Sequence, residues 1–503
     1  PEEKVKDLDL MISGKYAGVG ALIRYNFLLK NTVIDEPYEN MPAAEVGLKK
    51  GDVILAIGDS SMVGKDVAYV SNHLRGDAGT TFILTIQRPS VNKKMKFKIT
   101  RRSIQLPAVP YYGVQDGGVG YLNLNSFTTG CAKDVRRAFL DMKKQGMTSL
   151  VFDLRNNGGG SLQEAVNIVN MFVPKGITLV KTVGKMDRAN NEYKTTVEPI
   201  DTLMPIVVLV NDESASASEI TSGSLQDLDR AVVLGTRTYG KGLVQVSMDL
   251  PYNGNLKLTS SKYYIPSGRC IQAINYKHGN GGYTEHVPDS LTRVFHTANG
   301  RVVRDGGGIK PDVEVRPDSL PNIAFYLASS GRDSTEVMWN WELQYLKKHP
   351  TIGPAKTFVI SDADFEDFKQ AVLKSGFKYD RESKKYLENL VKLAKFEGYY
   401  DDAKGEFEAL EKKLNHNLAK DLDYNKQTLK KVLTSDLVSA YYYQKGSLEN
   451  SLQFDKQWKK AVEILKNPSE YKKLLQPVVG QPLVKLEPAS NVAVDKKQKS
   501  KAK

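Results

Sequence analysis

The stretch PIVVLVNDESASASEI, Pro205 to Ile220, joins a short apolar run to three serines at alternating positions, Ser214, Ser216 and Ser218. Ile206–Val210 has the length and the β-branched content of a buried strand, and the residues after the serines read as a helix. A strand that gives way to a helix leaves the first helical N–H groups without intrahelical partners. They face whatever lies above the turn. The small side chains around Ser216 let a peptide backbone come close. Taken alone, the stretch is either a small-residue turn or the seat of a nucleophile.

Around it the chain alternates strands and helices. VGYLNLNSF reads as a strand, and CAKDVRRAFLDMKKQG as a helix with Val135, Phe139 and Met142 on one side and Gly146 closing it. SLVFDLRNNGGG is a buried strand running into a glycine-rich loop. SLQEAVNIVNMF is a helix with Ser161 as N-cap and Glu164 three residues on. With RAVVLG after the serine segment, the alternation indicates an α/β layer over residues 108–330.

Residues 16–107 differ, with short alternating strands, a turn at GLKKGD and one or two helices, VAYVSNHL (Val67 to Leu74) being one. Residues 331–476 are amphipathic helices, among them SDADFEDFKQAVLKSG and SKKYLENLVKLAKFEG. Residues 477–503 are Pro- and Lys-rich and read as a disordered basic tail, and residues 1–15 as an N-terminal segment. The fold class is therefore multidomain α/β (α+β), a mixed sheet-and-helix core with a β-rich insertion and an all-helical C-terminal domain.

A chain of 503 residues exceeds one core, and 41% hydrophobic with 26% charged residues is ordinary for a globular protein. No apolar run approaches the length of a membrane span. The opening PEEKVKDLDL holds no apolar signal core. The formal net charge of +13 is spread among acidic residues rather than gathered on a face, so nucleic acid is not the expected partner. Two cysteines, Cys131 and Cys270, and six histidines without ligand spacing point to no metal and no cofactor.

GTRTYGKG (Gly235 to Gly242) matches the start of a phosphate-binding loop, but Gly242 stands where Ser or Thr is needed and LVQVSMDL alternates as a strand. Nucleotide hydrolysis is thereby excluded, and Lys241 needs another explanation. A lysine made neutral by burial can act as general base toward a serine without any histidine.

SASASE, DLRNNGGG, TYGKGLVQ and GGIKPDVEV, in that order, resemble the carboxy-terminal processing proteases, also called tail-specific proteases. The resemblance runs from about Gly14 to Arg316. It implies a Ser-Lys serine endopeptidase carrying a PDZ domain over residues 16–107. The nucleophile would be Ser216 and the general base Lys241, 25 residues later, with Gln245 orienting the lysine. The oxyanion hole would use the N–H of Ala217 and that of Gly159 or Gly160. Tyr16, Ala17, Gly18, Val19 and Gly20 resemble the loop by which a PDZ domain holds a terminal carboxylate. Asp227 matches an acidic position read as structural, and Asp153 and Arg155 as fixing the glycine loop.

The implied partners are polypeptides with unstructured C-terminal tails. An adaptor or regulatory protein and a homo-oligomer stay open. The implied setting is the bacterial periplasm or another exported location. The rival reading is a non-catalytic PDZ-containing scaffold on the same fold.

Overall fold

The computed structural model describes residues 15–251, 254–273, 288–329, 332–414 and 417–477. The expected tail falls, from residue 478 on, outside the described residues, as does the N-terminal segment up to residue 14. The chain divides into two compact units. One holds residues 15–106 and 317–455, the other residues 107–316 and 456 onward.

In the first unit, β1 (Lys15–Gly18) leads to β2 (Ala21–Asn26), β3 (Asn31–Pro37), the short helix α1 (Pro42–Glu45), β4 (Val53–Ile57) and β5 (Ser60–Ser61). Next come α2 (Val67–Leu74), β6 (Thr81–Arg88), β7 (Lys93–Thr100) and β8 (Arg102–Gln105). The sheet runs β2-β3-β4-β6-β7, with β5 beside β4, while β1 pairs antiparallel with β8. Alternation puts Ile34, Ile54, Leu84, Ile86 and Ile99 inside, each fully buried. Burial of each contributes roughly 1.5–3 kcal/mol. The Asp66 side chain caps α2 by accepting from Tyr69 N, and Val70 and Leu74 turn inward. Strand β2 lies at the sheet edge.

In the second unit the strands are β9 (Tyr111–Gln115), β10 (Val119–Asn123), β11 (Ser149–Asp153), β12 (Thr178–Gly184), β13 (Asn191–Lys194), β14 (Ile206–Val210), β15 (Val232–Gly235), β16 (Leu243–Leu250), β17 (Gly254–Tyr264), β18 (Val294–His296), β19 (Val302–Arg304) and β20 (Val313–Glu314). A six-stranded sheet runs β20-β15-β14-β11-β10-β9, parallel except for β9. A four-stranded sheet runs β13-β12-β17-β16. Three helices, α3 (Cys131–Lys144), α4 (Leu162–Val169) and α5 (Ala217–Asp227), share one core with Leu150, Phe152, Ile206, Val208, Val210 and Val233 of the larger sheet.

The remaining helices of the first unit are α6 (Asn322–Ala328), α7 (Val337–Lys348), α8 (Asp362–Ser375), α9 (Glu382–Glu397), α10 (Lys404–Lys413), α11 (Leu418–Tyr424) and α12 (Lys426–Ser451). Their core gathers Trp341, Phe365, Phe368, Leu429, Leu433 and Leu437. They join the β-rich module through polar contacts: Lys50 Nζ lies 3.1 Å from Glu342 Oε2, and Glu36 accepts from Gln444 N at 3.0 Å.

Of the helices within 331–476, the last two fall with the second unit. Helix α13 (Lys456–Leu465) packs on β11, β14 and β15, and α14 (Pro468–Leu474) packs on α13. Trp458 meets the Tyr121 ring edge-on at 5.5 Å, and Tyr471 Oη accepts from Ile206 N at 3.0 Å. The physical reason lies in the strands. Val207, Leu209, Val232 and Leu234 are fully buried but face away from α3–α5, and a parallel sheet needs both faces covered. Amphipathic periodicity announces a helix and not which apolar face it will cover.

Candidate active site

Strand β14 ends at Val210, and six residues later Ser216 is the N-cap of α5 with φ +55° and ψ −112°. A side chain at positive φ is strained and persists only where its surroundings hold it. Here the two outer serines do the holding. Ser214 Oγ donates to Leu154 O at 2.8 Å and Ser218 Oγ to Asn157 O at 2.7 Å, while Ala215 N reaches Asn157 O at 3.0 Å. Both outer serines are fully buried, whereas Ser216 is half-buried. The alternation Ser-x-Ser-x-Ser is thus two structural hydroxyls flanking a third that is set apart. Their small size was the expected role of Ser214 and Ser218. Pinning the DLRNNGGG loop to the turn is the role the structure gives them.

One turn into α5 sits Glu219, fully buried. Its Oε1 accepts from Thr238 Oγ1 at 2.6 Å and Gly240 N at 2.7 Å, and its Oε2 from Ser216 N at 2.8 Å and Lys241 N at 2.9 Å. Burial pushes this carboxyl above its ordinary range, against four donors that favour the ionised form. Sequence reading missed Glu219, although Ser216 and Glu219 stand at the Ser-x-x-Glu spacing of a capping box, which would have found it.

Lys241 lies between β15 and β16 and is half-buried. Burial, and then the ammonium of Lys257, hold its pKa below the ordinary lysine value, while Glu219 acts the other way. Among the described residues no carboxylate forms an ion pair with it, and no hydrogen bond joins its ammonium to the Ser216 hydroxyl. Its glycine neighbours have a steric reason. A Cβ on Gly240 would fall 2.3 Å from Ala273 Cβ, and one on Gly242 2.8 Å from Gln272 N. Gln245 is exposed on β16 opposite Thr259 and makes no hydrogen bond to Lys241 among the described residues.

The loop after β11 reaches the same place. Asp153 accepts from Tyr121 Oη at 2.7 Å and from Arg155 N at 3.0 Å, which braces the start of the loop. Gly159 has φ +97°, and a Cβ there would fall 2.6 Å from Ala215 O and 2.9 Å from both Ala217 N and Ser216 Cβ. Its N–H is already bound, donating to Asn157 Oδ1 at 2.9 Å. The N–H groups of Gly158 and Gly160 meet no protein acceptor among the described residues. Asp227 is buried in an ion pair with Arg269 at 2.8 Å, and Cys131 and Cys270 are free.

In the other unit, Tyr16, Ala17 and Gly18 belong to β1, and Val19 and Gly20 turn the chain into the edge strand β2. Val19 O accepts from Ala43 N and Gly20 O from Tyr38 N, both at 2.9 Å. Gly20 has φ +72°, and a Cβ there would fall 2.5 Å from Met41 Cβ. Tyr16 lays its ring on Gly18, and burial pushes its phenol up to about 12.

The site thus sets Ser216, at a strained strand-to-helix turn, and Lys241 on one buried carboxylate beside a mainly parallel sheet, while the β-rich module of the other unit turns at Gly20 into an edge strand. The profile of peptidase family S41 matches residues 118–278, that of the PDZ domain residues 33–88, and that of the probable PDZ-protease C-terminal helical domain residues 326–465. A carboxy-terminal-processing protease of Bartonella bacilliformis is 37% identical over 277 residues, 54% of this chain and 62% of the relative. A probable CtpA-like serine protease of Staphylococcus aureus is 30% identical over 402 residues, 78% of this chain and 67% of the relative. The solved photosystem II D1 C-terminal processing protease shares 27% identity, with a TM-score of 0.34 over 63% of this chain and 76% of that one. This chain belongs to the carboxy-terminal-processing proteases of peptidase family S41. It spans about half to two thirds of the length of the curated relatives it matches.

Proposed function

We propose that the chain is a serine endopeptidase that cleaves polypeptides near or from their C-termini, with Ser216 as nucleophile and Lys241 as general base. The observation that carries this reading is the shared carboxylate oxygen, Glu219 Oε2, which accepts from the backbone N–H of both residues. The direction of the lysine shift supports it, because a base must be neutral to accept a proton.

In this reading neutral Lys241 takes the proton of Ser216 Oγ as that oxygen attacks the scissile carbonyl. The tetrahedral oxyanion meets the N–H of Ala217, the first helical residue, and a glycine N–H from the loop after β11. Because Gly159 N–H is bound to Asn157, Gly160, or Gly158 beside it, is the proposed second donor. Each such donor contributes about 10²–10³ in rate. The lysine then protonates the leaving amine, and water releases the acyl-enzyme.

The PDZ module would hold the substrate's terminal carboxylate on the N–H groups around Val19 and Gly20 while the tail adds a strand beside β2. Tethering a tail in this way raises its effective concentration at a catalytic site. An exported, periplasmic setting and substrates with unstructured tails complete the reading.

The test is Ser216→Ala and Lys241→Ala, each assayed on an unfolded substrate with an apolar tail. Loss of cleavage in both supports the pair. Near wild-type cleavage by either variant overturns it.

A further inference from the structure

The backbones of Ser216 and Lys241 are linked twice, and only one link runs through Glu219. The second is Tyr263 on β17. Its phenol donates to Lys241 O at 2.6 Å and lies 3.3 Å from Ser216 O. Its own N–H donates to Gly242 O at 3.0 Å, so the strand that carries the ring is fastened beside the lysine. Glu219 therefore takes the N–H of both residues while Tyr263 reaches the carbonyl of both.

Tyr263 is buried, and burial together with the Glu219 charge pushes its phenol well above the ordinary value. The group keeps its hydrogen in the neutral range and so remains a donor. One hydrogen can serve two carbonyls only in part, and the shorter contact assigns it mainly to Lys241 O. Ser216, at φ +55° and ψ −112°, needs neighbours that hold it, and its carbonyl is within reach of the same phenol.

We infer that Tyr263 is a positioning residue: with Glu219 it clamps the peptide groups of nucleophile and base from opposite sides, setting their separation before substrate arrives. This rests on the Ser216–Lys241 reading for its consequence in catalysis, but the clamp itself does not need that reading. Tyr264 follows on β17, is half-buried and faces the other side of the strand by alternation, so it makes a matched control.

The experiment compares Tyr263→Phe, which deletes one oxygen and keeps the ring, with Tyr264→Phe. Two readouts are taken on the full chain: kcat and KM for a cleaved peptide, and hydrogen exchange of the amides of residues 215–220 and 238–242. Expected for Tyr263→Phe is a kcat lower by about ten- to a hundred-fold with KM unchanged, the range that misplacement of reacting groups produces. Exchange should quicken in those two segments and not in β2–β7. Tyr264→Phe should leave both readouts at wild type. Unchanged kcat, unchanged exchange, or exchange that quickens evenly across the α/β unit would each overturn the clamp. Should the wild-type chain cleave nothing, the Ser216–Lys241 reading fails, and the exchange comparison still decides the clamp.

Discussion

Ser216 and Lys241, 25 residues apart in sequence, donate their backbone N–H groups to the same oxygen, Glu219 Oε2, at 2.8 and 2.9 Å. The two nitrogens can be no farther apart than those bonds allow, whatever the side chains do. The fold thus presets the two backbones independently of where the hydroxyl and the ammonium point.

Glu219→Gln tests that arrangement. The amide keeps the shape, but its NH2 faces donors where an oxygen stood, leaving some of Ser216 N, Gly240 N, Lys241 N and Thr238 Oγ1 unpaired. A stability loss of about 1–3 kcal/mol by denaturant unfolding is expected. A fall in kcat of roughly 100-fold should accompany it. A variant within twofold of wild type in kcat would contradict the arrangement.

Lys257→Gln should move the pH profile. Burial and then the Lys257 ammonium depress the Lys241 pKa. Removing that charge lets the pKa rise, so less of the lysine is neutral near pH 7. The rising limb of kcat/KM against pH should shift to higher pH, with full activity regained on the alkaline side. A limb that stays in place would show that Lys257 does not act on the base.

The three serines should separate cleanly. Ser214→Ala removes the hydroxyl that joins Asn211 N to Leu154 O, and Ser218→Ala removes one of two donors to Asn157 O, so each should cost about 0.5–1.5 kcal/mol. Their cleavage should fall only in proportion to loop disorder, whereas Ser216→Ala should lose it with little change in melting temperature. Equal losses of cleavage in all three would remove the distinction drawn between them.

Gly20→Ala probes the loop proposed to bind the tail. The added Cβ falls 2.5 Å from Met41 Cβ at φ +72°, so the loop must move. Binding of a fluorescent peptide with a free C-terminus should weaken by at least tenfold, a shift of about 1.4 kcal/mol. Cleavage of a short amidated peptide should persist. Unaltered binding would place the carboxylate elsewhere.

Glu342 makes the unit of residues 15–106 and 317–455 sensitive to pH. Burial, set against Lys50 and reinforced by Asp436, pushes its carboxyl up to about 8. The folded state thus holds a proton that the unfolded chain releases near pH 4.5. The stabilisation is complete below that range and is lost as pH climbs through about 8. Unfolding midpoints should fall over this interval, and Glu342→Gln should flatten the fall. A wild-type profile already flat there would refute it.

Much of the fold was legible because its signals are local. The apolar run of β14, the cap pair Ser161–Glu164 of α4 and the face of α2 are each written within a few consecutive residues. The spacing from SASASE to YGKG likewise singled out Ser216 and Lys241, as part of a family resemblance. Three things were not legible. Helix α13 covers the second face of the larger sheet, although nothing in its periodicity names that partner. The exposure of Gln245, on a strand whose register shifts between Val244 and Gln245, follows from how β16 pairs with β17. Tyr263 lies one residue from a second tyrosine of identical type.

By itself, then, the sequence determined which segments become strands and helices, where the strained strand-to-helix turn falls, and which serine and lysine carry the family pattern. Dihedral preferences, capping and apolar periodicity act over a few residues, so they can be read along the chain. Only the tertiary structure decided that Ser214 and Ser218 are clamps, that Gly159 N–H is already taken, and that Glu219 and Tyr263 join the backbones of Ser216 and Lys241. Those facts depend on hydrogen bonds between groups far apart in sequence, whose partners exist only once the sheets have packed.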